Sequence, residues 1–350
     1  MPQQVKEVIK FRVREASIQN ERGTKSLGDE EYLSYFPSCR KSEGRRIVED
    51  RIRLILNPTA GHGRAVRVLQ SVRGILDSRG VAYDVAESKR PGHALEIARD
   101  SAGQGYNEIA AVGGDGTVGE VANGILGSGA RDVKMAVIPA GTGNDFVGGN
   151  RLFKDWEEAA QALASQKVIR STDLLLFRDA SGYSKYVINS IGTGFDAYVV
   201  KRVLELGSRK VGRLSYMIEA FRGLFAFNPG HFEVDFDGDA QVRENVWLFA
   251  IVNSERFGGG MLVAPGASSS DGKMNVCSLS DVSRSQIVPL IVLVRSGKHM
   301  GRPGVSCQEC REVRISAPQG FPCHLDGDTV DVTYPFTVTV VPGALSVIAG

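Results

Sequence analysis

The apolar run Ile109 to Val112 stops abruptly on Gly113, and the string GGDGT, Gly113 to Thr117, leads straight into a helical pattern carried by Val118, Val121, Ala122, Ile125 and Leu126. An uninterrupted apolar strand must be covered on both faces, which is the condition of a strand inside a parallel sheet. A strand that ends on glycines beside a helix start presents backbone N–H groups and the positive end of the helix dipole at one point. Such a junction suits phosphate. Asp115, at its centre, would repel a bare anion, so the loop calls for a nucleotide accompanied by Mg²⁺.

The same construction recurs on either side. Ile52 to Leu56 is an apolar strand ending in NPTAG (Asn57, Pro58, Thr59, Ala60, Gly61), and Ala65, Val66, Val68, Leu69, Val72, Ile75 and Leu76 follow at helical spacing. Val81 to Ala86 reads as the next strand, with a helix through Ala94, Leu95, Ile97 and Ala98. Met135 to Ile138 is broken by PAGTGND, Pro139 to Asp145. Alternating strands and helices predict a doubly wound parallel sheet, with the ligand beyond the carboxyl ends of the strands, where the glycine loops lie. Asn57, Thr59, Thr142 and Asn144 are the hydrogen-bonding side chains in those loops. The chain carries 41 glycines in 350 residues, above the roughly 7% that is usual, and they fall in discrete loops. By this reading Gly114 keeps open the space through which phosphate approaches, and valine there is expected to block the nucleotide.

After about Asp173 the pattern changes to short alternating segments, at Lys185 to Ser190, His231 to Phe236, Val246 to Asn253, Met274 to Leu279 and Val313 to Ile315. These predict an antiparallel, β-sandwich-like domain with helical insertions near Ala197 to Phe225 and Arg284 to Lys298. A chain of this length favours two domains, here an α/β nucleotide-binding domain over 51–170 and a β-rich domain over 171–350. The final strands could return to the first domain, and the active site is expected in the interdomain cleft. Residues 1–50 are dense in charge and poor in periodic apolar positions, and read as an extension, partly disordered or helical.

Net charge of +2 gives no support to nucleic-acid binding. The N-terminus has no signal-peptide pattern, and the longest apolar run, Ile287 to Val294, contains Pro289 and is too short to span a membrane. The expected location is cytoplasmic with peripheral contact at the membrane. Five cysteines in so long a chain do not suggest a disulfide framework. Cys307, Cys310, Cys323 and His324 have the ligand types of a zinc site, against the blander reading of free thiols. Asp235, Asp237 and Asp239 read as a hairpin turn before a calcium loop. Lys201, Arg202, Arg209, Lys210 and Arg213 make either a solvated helix face or a surface for anionic lipid headgroups.

NPTAG, GGDGT, PAGTGND and the late LDGD (Leu325 to Asp328), in this order, resemble the diacylglycerol kinase catalytic domain shared by bacterial soluble lipid kinases and sphingosine kinases. The resemblance implies an ATP-dependent lipid kinase, most simply one converting diacylglycerol to phosphatidic acid. A sphingoid base or other lipid alcohol is the alternative acceptor, and a non-catalytic nucleotide- or lipid-binding regulator the alternative of another class. It implies that Asn57 to Gly61, Ser88, Gly113, Gly114, Asp115, Gly116, Thr117, Val118, Gly119 and Thr142 hold ATP, and that Asp326 is the general base. APGASSSDGKMNV resembles a structural Mg²⁺ loop, with the Asp271 carboxylate and the backbone carbonyls of Ser268 and Lys273 as ligands. Mg²⁺ is thus implied both with ATP and in a structural place. The partners implied are ATP and a lipid alcohol at a membrane surface, and a homodimer stays open. Two positions depart from the family pattern: Asp328 stands where it has Glu, and Gly119 where it has Asn. Asp328 and Asn144 are expected beside the reacting groups. If the LDGD segment is extended, Asp328 points away from the face that carries Asp326.

Overall fold

The structure, a computed structural model, describes residues 51–165, 168–205 and 213–350. The expectations for residues 1–50 and for Arg209 and Lys210 lie outside the described residues.

Four strands open the fold: β1 (Ile52–Leu56), β2 (Tyr83–Glu87), β3 (Glu108–Gly113) and β4 (Lys134–Pro139). They pair in parallel in the order β2-β1-β3-β4. Helices α1 (Arg64–Ser78), α2 (His93–Gln104) and α3 (Asp115–Gly127) connect them. α2 packs on α3, and α1 on a later helix of this lobe. β3 and β4 are buried along almost their whole lengths, as their uninterrupted apolar sequences require. Two short helices follow, α4 (Asp145–Gly149) and α5 (Trp156–Ala164), the latter being the partner of α1. Asp155 caps α5 by accepting N–H bonds from Glu157 and Glu158.

The second lobe is antiparallel. Its first strand, β5 (Val168–Asp179), is not expected from the sequence, because its first four residues are exposed and show no alternation of buried and exposed positions. β6 (Ser184–Val187) and β7 (Ser190–Gly194) replace the single segment expected over Lys185 to Ser190. Helices α6 (Phe195–Glu205) and α7 (Arg213–Ala226) come next, then β8 (Gly230–Phe236) and β9 (Asp239–Val252). The β8–β9 turn is Asp237-Gly238, both at positive φ, so this acidic run is the expected hairpin turn. A short hairpin of β10 (Arg256–Phe257) and β11 (Met261–Leu262) precedes β12 (Met274–Ser280), helix α8 (Arg284–Leu293) and β13 (Val305–Cys310). β14 (Glu312–Ser316), β15 (Cys323–Leu325), β16 (Asp328–Val330) and β17 (Phe336–Ala349) complete the chain.

β17 joins the lobes. It runs antiparallel to β5 from Phe336↔Asp179 to Ala349↔Val168, with a bulge between Val341 and Leu345. Near its end it lies parallel to β4, pairing Ser346 with Lys134 and Val347 with Met135, and so continues the parallel sheet beyond β4. Buried Asp173 braces the junction: its carboxylate accepts N–H bonds from Gly343 in the bulge and Gly272 in the loop before β12, both at 2.7 Å. Asp173→Ala would leave two donors without an acceptor. A loss of roughly 2–4 kcal/mol in a denaturant melt is expected.

The cysteines differ from expectation. Cys277 and Cys307, opposite one another on β12 and β13, form a disulfide. Cys310 and Cys323 are buried free thiols, and burial pushes the Cys310 thiol up to about 12. Cys307 is therefore not available to zinc, and among the described residues no three His, Cys, Asp or Glu side chains are placed to share a metal.

Candidate active site

The glycine loops meet at the carboxyl ends of β1, β3 and β4. Asn57 organises the first: its Oδ1 accepts from the Thr59 N–H and hydroxyl, and its Nδ2 donates to Thr117 Oγ1 on α3 at 3.0 Å. NPTAG and GGDGT are thus joined by one amide. Gly61, at φ +58, passes so close to the Ala140 carbonyl that a side chain would collide with it. Pro58 and Ala60 are part-exposed in the same loop, and Ser88 is buried at the end of β2, its N–H bonded to Leu56. The PAGTGND loop is held by Asn144, in the left-handed region, whose side chain bonds both the N–H and the carbonyl of Gly141. Asn144 is therefore a staple of its own loop. Thr142 is exposed at the tip.

The glycines separate into two kinds. A Cβ on Gly141 would lie 2.3 Å from Gly114 Cα, and one on Gly114 would lie 3.0 Å from Gly141 Cα. These two pack backbone to backbone, so the room beside Gly114 is filled by the neighbouring loop. A Cβ on Gly113 would strike the Thr117 side chain. Gly116 alone in this string faces nothing within 4 Å and is exposed, which makes it the open approach to the start of α3. Val118 and Gly119, in the first turn of α3, are buried.

Asp326 lies outside any strand. Leu325 pairs with Asp328, and Asp326 and Gly327 form a two-residue turn with φ of +53° and +88°. The segment is therefore a hairpin and not extended, with Asp326 in its turn and Asp328 opening β16 opposite Leu325. Asp328 is exposed and pairs with Lys185 Nζ at 3.6 Å. Asp326 turns inward. Its Oδ1 accepts from Asn189 N (2.8 Å) and Ser190 N (3.1 Å), and its Oδ2 from Ile188 N (2.9 Å). Burial nevertheless outweighs these donors and lifts the carboxyl above its ordinary range. His324, just before the turn, is fully buried; its Nδ1 accepts the Gly327 N–H, and its Nε2 lies 3.3 Å from Asp196 Oδ2.

Asn189 is the residue that sequence reasoning missed. Its backbone N–H donates to Asp326 while its side-chain Nδ2 donates to Asp115 Oδ1 at 3.2 Å. Asp115 Oδ1 also accepts the Phe146 N–H at the start of α4. One buried asparagine thus ties GGDGT to LDGD across 211 positions of sequence (115 to 326). Nothing local marks it, because it falls between two short strands and its partners are remote. Asp145 forms a second tie, accepting N–H bonds from Gly259 and Gly260 in the β10–β11 hairpin, with burial and then the Asp115 charge raising its carboxyl.

The loop over Ser268, Asp271 and Lys273 lies apart from these carboxylates. Asp271 is exposed, its Oδ1 accepting the Lys273 N–H, while Lys273 Nζ pairs with Glu309. Ser268 Oγ lies beside Ser270 Oγ, and Ser269 bonds Asn150 at the end of α4. The donors are all oxygen, the chemistry of a hard cation.

The pairing of a parallel α/β lobe whose glycine loops face a half-buried carboxylate on an antiparallel lobe defines a class, and comparison with known proteins agrees. Residues 51–176 match the diacylglycerol kinase catalytic domain, and residues 189–349 the YegS C-terminal NAD kinase beta sandwich-like domain. The chain is 30% identical over 307 residues to a Bacillus subtilis (strain 168) protein named "Putative lipid kinase YtlR", covering 84% of this chain and 97% of that one. It is 28% identical over 304 residues to a Mycobacterium tuberculosis (strain ATCC 25618 / H37Rv) protein named diacylglycerol kinase, covering 87% and 96%. A crystal structure from Bacillus anthracis str. Sterne, described as a putative diacylglycerol kinase, shares the fold with a TM-score of 0.71 at 20% identity, covering 86% of this chain and 98% of that one. The chain belongs to the diacylglycerol kinase family of lipid kinases, and it is a kinase. No helix among the described residues is long and apolar enough to cross a membrane.

Proposed function

We propose that the protein transfers the γ-phosphate of ATP to the hydroxyl of a membrane lipid, with diacylglycerol as acceptor and phosphatidic acid as product. The observation that carries this reading is the Asn189 tie, which holds an acceptor carboxylate beside the glycine loops. A carboxylate has about four acceptor sites. Three of those on Asp326 are occupied by N–H groups, two on Oδ1 and one on Oδ2. The remaining one is on Oδ2, the oxygen 3.9 Å from where a Cβ of Gly119 would stand. Glycine in place of the family's Asn leaves that side of the carboxylate uncrowded. The lipid hydroxyl would lose its proton to Oδ2 as its oxygen bonds to the γ-phosphorus, while the bond from that phosphorus to the β,γ-bridging oxygen breaks and ADP leaves. The N–H groups of the α3 start and the loops around Asn57 and Thr142 would position the triphosphate.

The resemblance implies Mg²⁺, and the oxygen donors present fit it. Asp115 would face the cation that accompanies ATP, and Asp271 with the carbonyls of Ser268 and Lys273 would hold a structural one. When bound, such ions neutralise phosphate charge and stiffen a loop, respectively. If the structural assignment holds, Mg²⁺ raises the melting temperature of the wild type and not that of Asp271→Ala. An equal gain in both would remove the cation from this loop.

The raised carboxyl of Asp326 gives a pH signature. The base acts only when ionised, so kcat/KM should fall at acid pH with an inflection above the roughly 3.9 of a free Asp. For stability, a carboxyl raised in the fold contributes favourably below its unfolded value, and that contribution is lost as pH rises through the folded value. At neutral pH the ionised Asp326 therefore weakens the fold it serves. Presenting diacylglycerol, monoacylglycerol, a sphingoid base and a ceramide separately in mixed micelles, with mass analysis of the products, tests the acceptor. The reading predicts phosphatidic acid as the main product. Phosphorylation of the sphingoid base alone would replace diacylglycerol by the alternative acceptor.

A further inference from the structure

Helix α8 is built against the usual rule for a surface helix. Seven consecutive residues, Ile287 to Leu293, are apolar on every side, yet only Ile287 of the helix is buried. A helix apolar all round belongs inside a core or a membrane. Val288 and Val292 stand 42% and 68% exposed. α7 shows the same feature: Met217, Phe221 and Phe225 are 56%, 57% and 70% exposed, and the two phenylalanine rings contact one another edge to face.

The exposed residues sit on one structural layer. α6, α7 and α8 pack over a single cluster that includes Phe195, Leu224, Phe227, Trp247 and Ile287. Arg284, opening α8, donates to the Leu224 carbonyl of α7. Exposed charge around the layer is mainly basic, with Asp281 before α8 as an exposed acid. Lys201 and Arg222 are exposed on α6 and α7, and Arg295, Lys298 and Arg302 follow α8. The acids of α6 and α7 have neighbours: Glu219 is buried against Arg222, Glu205 pairs with Arg202, and Asp196 lies beside His324. α8 itself contains no acid. An apolar surface accompanied by Lys201, Arg295, Lys298 and Arg302, which pair with no acid among the described residues, matches the interface of an anionic bilayer, where apolar side chains enter the acyl boundary and basic ones meet headgroups. α6 also touches both β15 and β16, the strands that carry the Asp326 turn.

We infer that the exposed face of α7 and α8 is the surface by which this enzyme docks on anionic membranes, with Phe221, Phe225 and Val292 as the inserted residues. The occupant follows from the charge and from the reading of the acceptor as a membrane lipid, on which the inference rests. Docking there would bring the lobe that carries Asp326 against the bilayer.

The test is flotation of the full-length protein with phosphatidylcholine vesicles, with and without phosphatidylglycerol and with neither ATP nor diacylglycerol present. Binding is then read independently of any phosphorylation, and it stands even if the acceptor proves to be something other than diacylglycerol. Wild type should bind the phosphatidylglycerol vesicles more tightly, with binding weakened by salt. The double variant Phe221→Asp, Phe225→Asp should lower partitioning by about 10- to 100-fold, because two part-exposed rings no longer enter the acyl region. Val292→Asp should lower it in the same direction, and both variants should melt like wild type, their side chains being exposed. Absence of vesicle binding by wild type, or unchanged binding in both variants, would overturn the inference. So would a wild-type dimer that the substitutions split without changing vesicle binding, which would give the face to a second copy of the chain.

Discussion

Asp326→Asn is expected to lower kcat by about 10²- to 10⁴-fold while leaving ATP affinity within a few-fold of wild type. A lipid hydroxyl is a weak acid at neutral pH, and general-base assistance contributes on this order. The substitution is less innocent than its shape suggests. Asn can present one oxygen to the N–H groups of Asn189 and Ser190, but its NH₂ then faces the N–H of Ile188. A donor left without an acceptor costs about 1–3 kcal/mol. Relief of a buried charge, signalled by the raised carboxyl, offsets part of that cost. The kinetic result must therefore be read on protein shown by calorimetry to bind ATP and to melt cooperatively. If such protein turns over normally, and Asp115→Asn does not, the base belongs to the GGDGT loop and the reaction must be rebuilt around Asp115.

The second large effect contrasts Gly141→Val with Gly116→Val. A valine at Gly141 meets backbone first: its Cβ would lie 2.3 Å from Gly114 Cα and 3.1 Å from Gly114 N, and 2.9 Å from Asn144 Oδ1, the group that holds this loop. The two loops must separate. Overpacking of this kind costs roughly 1–3 kcal/mol and can exceed that where backbone is the obstacle. ATP binding should be lost together with stability. At Gly116 there is no protein neighbour to strike, so the fold should survive. Nucleotide affinity should still fall at least about tenfold, because the side chain occupies the open approach to the helix start. Titration calorimetry paired with thermal melts separates the two. Unchanged ATP affinity in a folded Gly116→Val protein would place the phosphate elsewhere.

The parts of this molecule that could be read from its sequence are those built from local signals. β1, β3 and β4 announce themselves as apolar runs stopped by glycine, and the parallel order follows from the helices between them. The long junction strands could not be read so easily. β5 begins with four exposed residues, and β17 contains Pro342 and Gly343, a pair that looks like a break and is in fact a bulge between paired segments. What stabilises both is their pairing with one another, a contact between remote stretches of chain. The disulfide is hidden for the same reason, since only the β12–β13 register sets Cys277 opposite Cys307.

The candidate site shows the same division. Two Asp-Gly turns occur in the second lobe with nearly the same backbone, at Asp237-Gly238 and Asp326-Gly327. Each aspartate accepts N–H bonds from a neighbouring segment, Asp237 from Arg311 and Glu312, Asp326 from Ile188 to Ser190. Local geometry does not tell them apart. What differs is the surroundings: the donors to Asp326 include Asn189, whose side chain reaches Asp115, whereas Asp237 is tied to a strand connection far from the glycine loops. Motif order singles out Asp326 for the proposed role of base. The observation that supports the choice is the Asn189 contact, which only the folded chain makes.

The central claim is tested most directly by a single-turnover experiment with the full-length protein in excess over γ-labelled ATP, Mg²⁺ present, and diacylglycerol in mixed micelles. The account predicts that label passes into a lipid phosphomonoester in wild type. It also predicts that Asp326→Asn binds the same ATP but transfers the label about 10²- to 10⁴-fold more slowly. Label that stays in ATP or appears only as inorganic phosphate, while ATP is demonstrably bound and the whole panel of lipid alcohols has been offered, would contradict it.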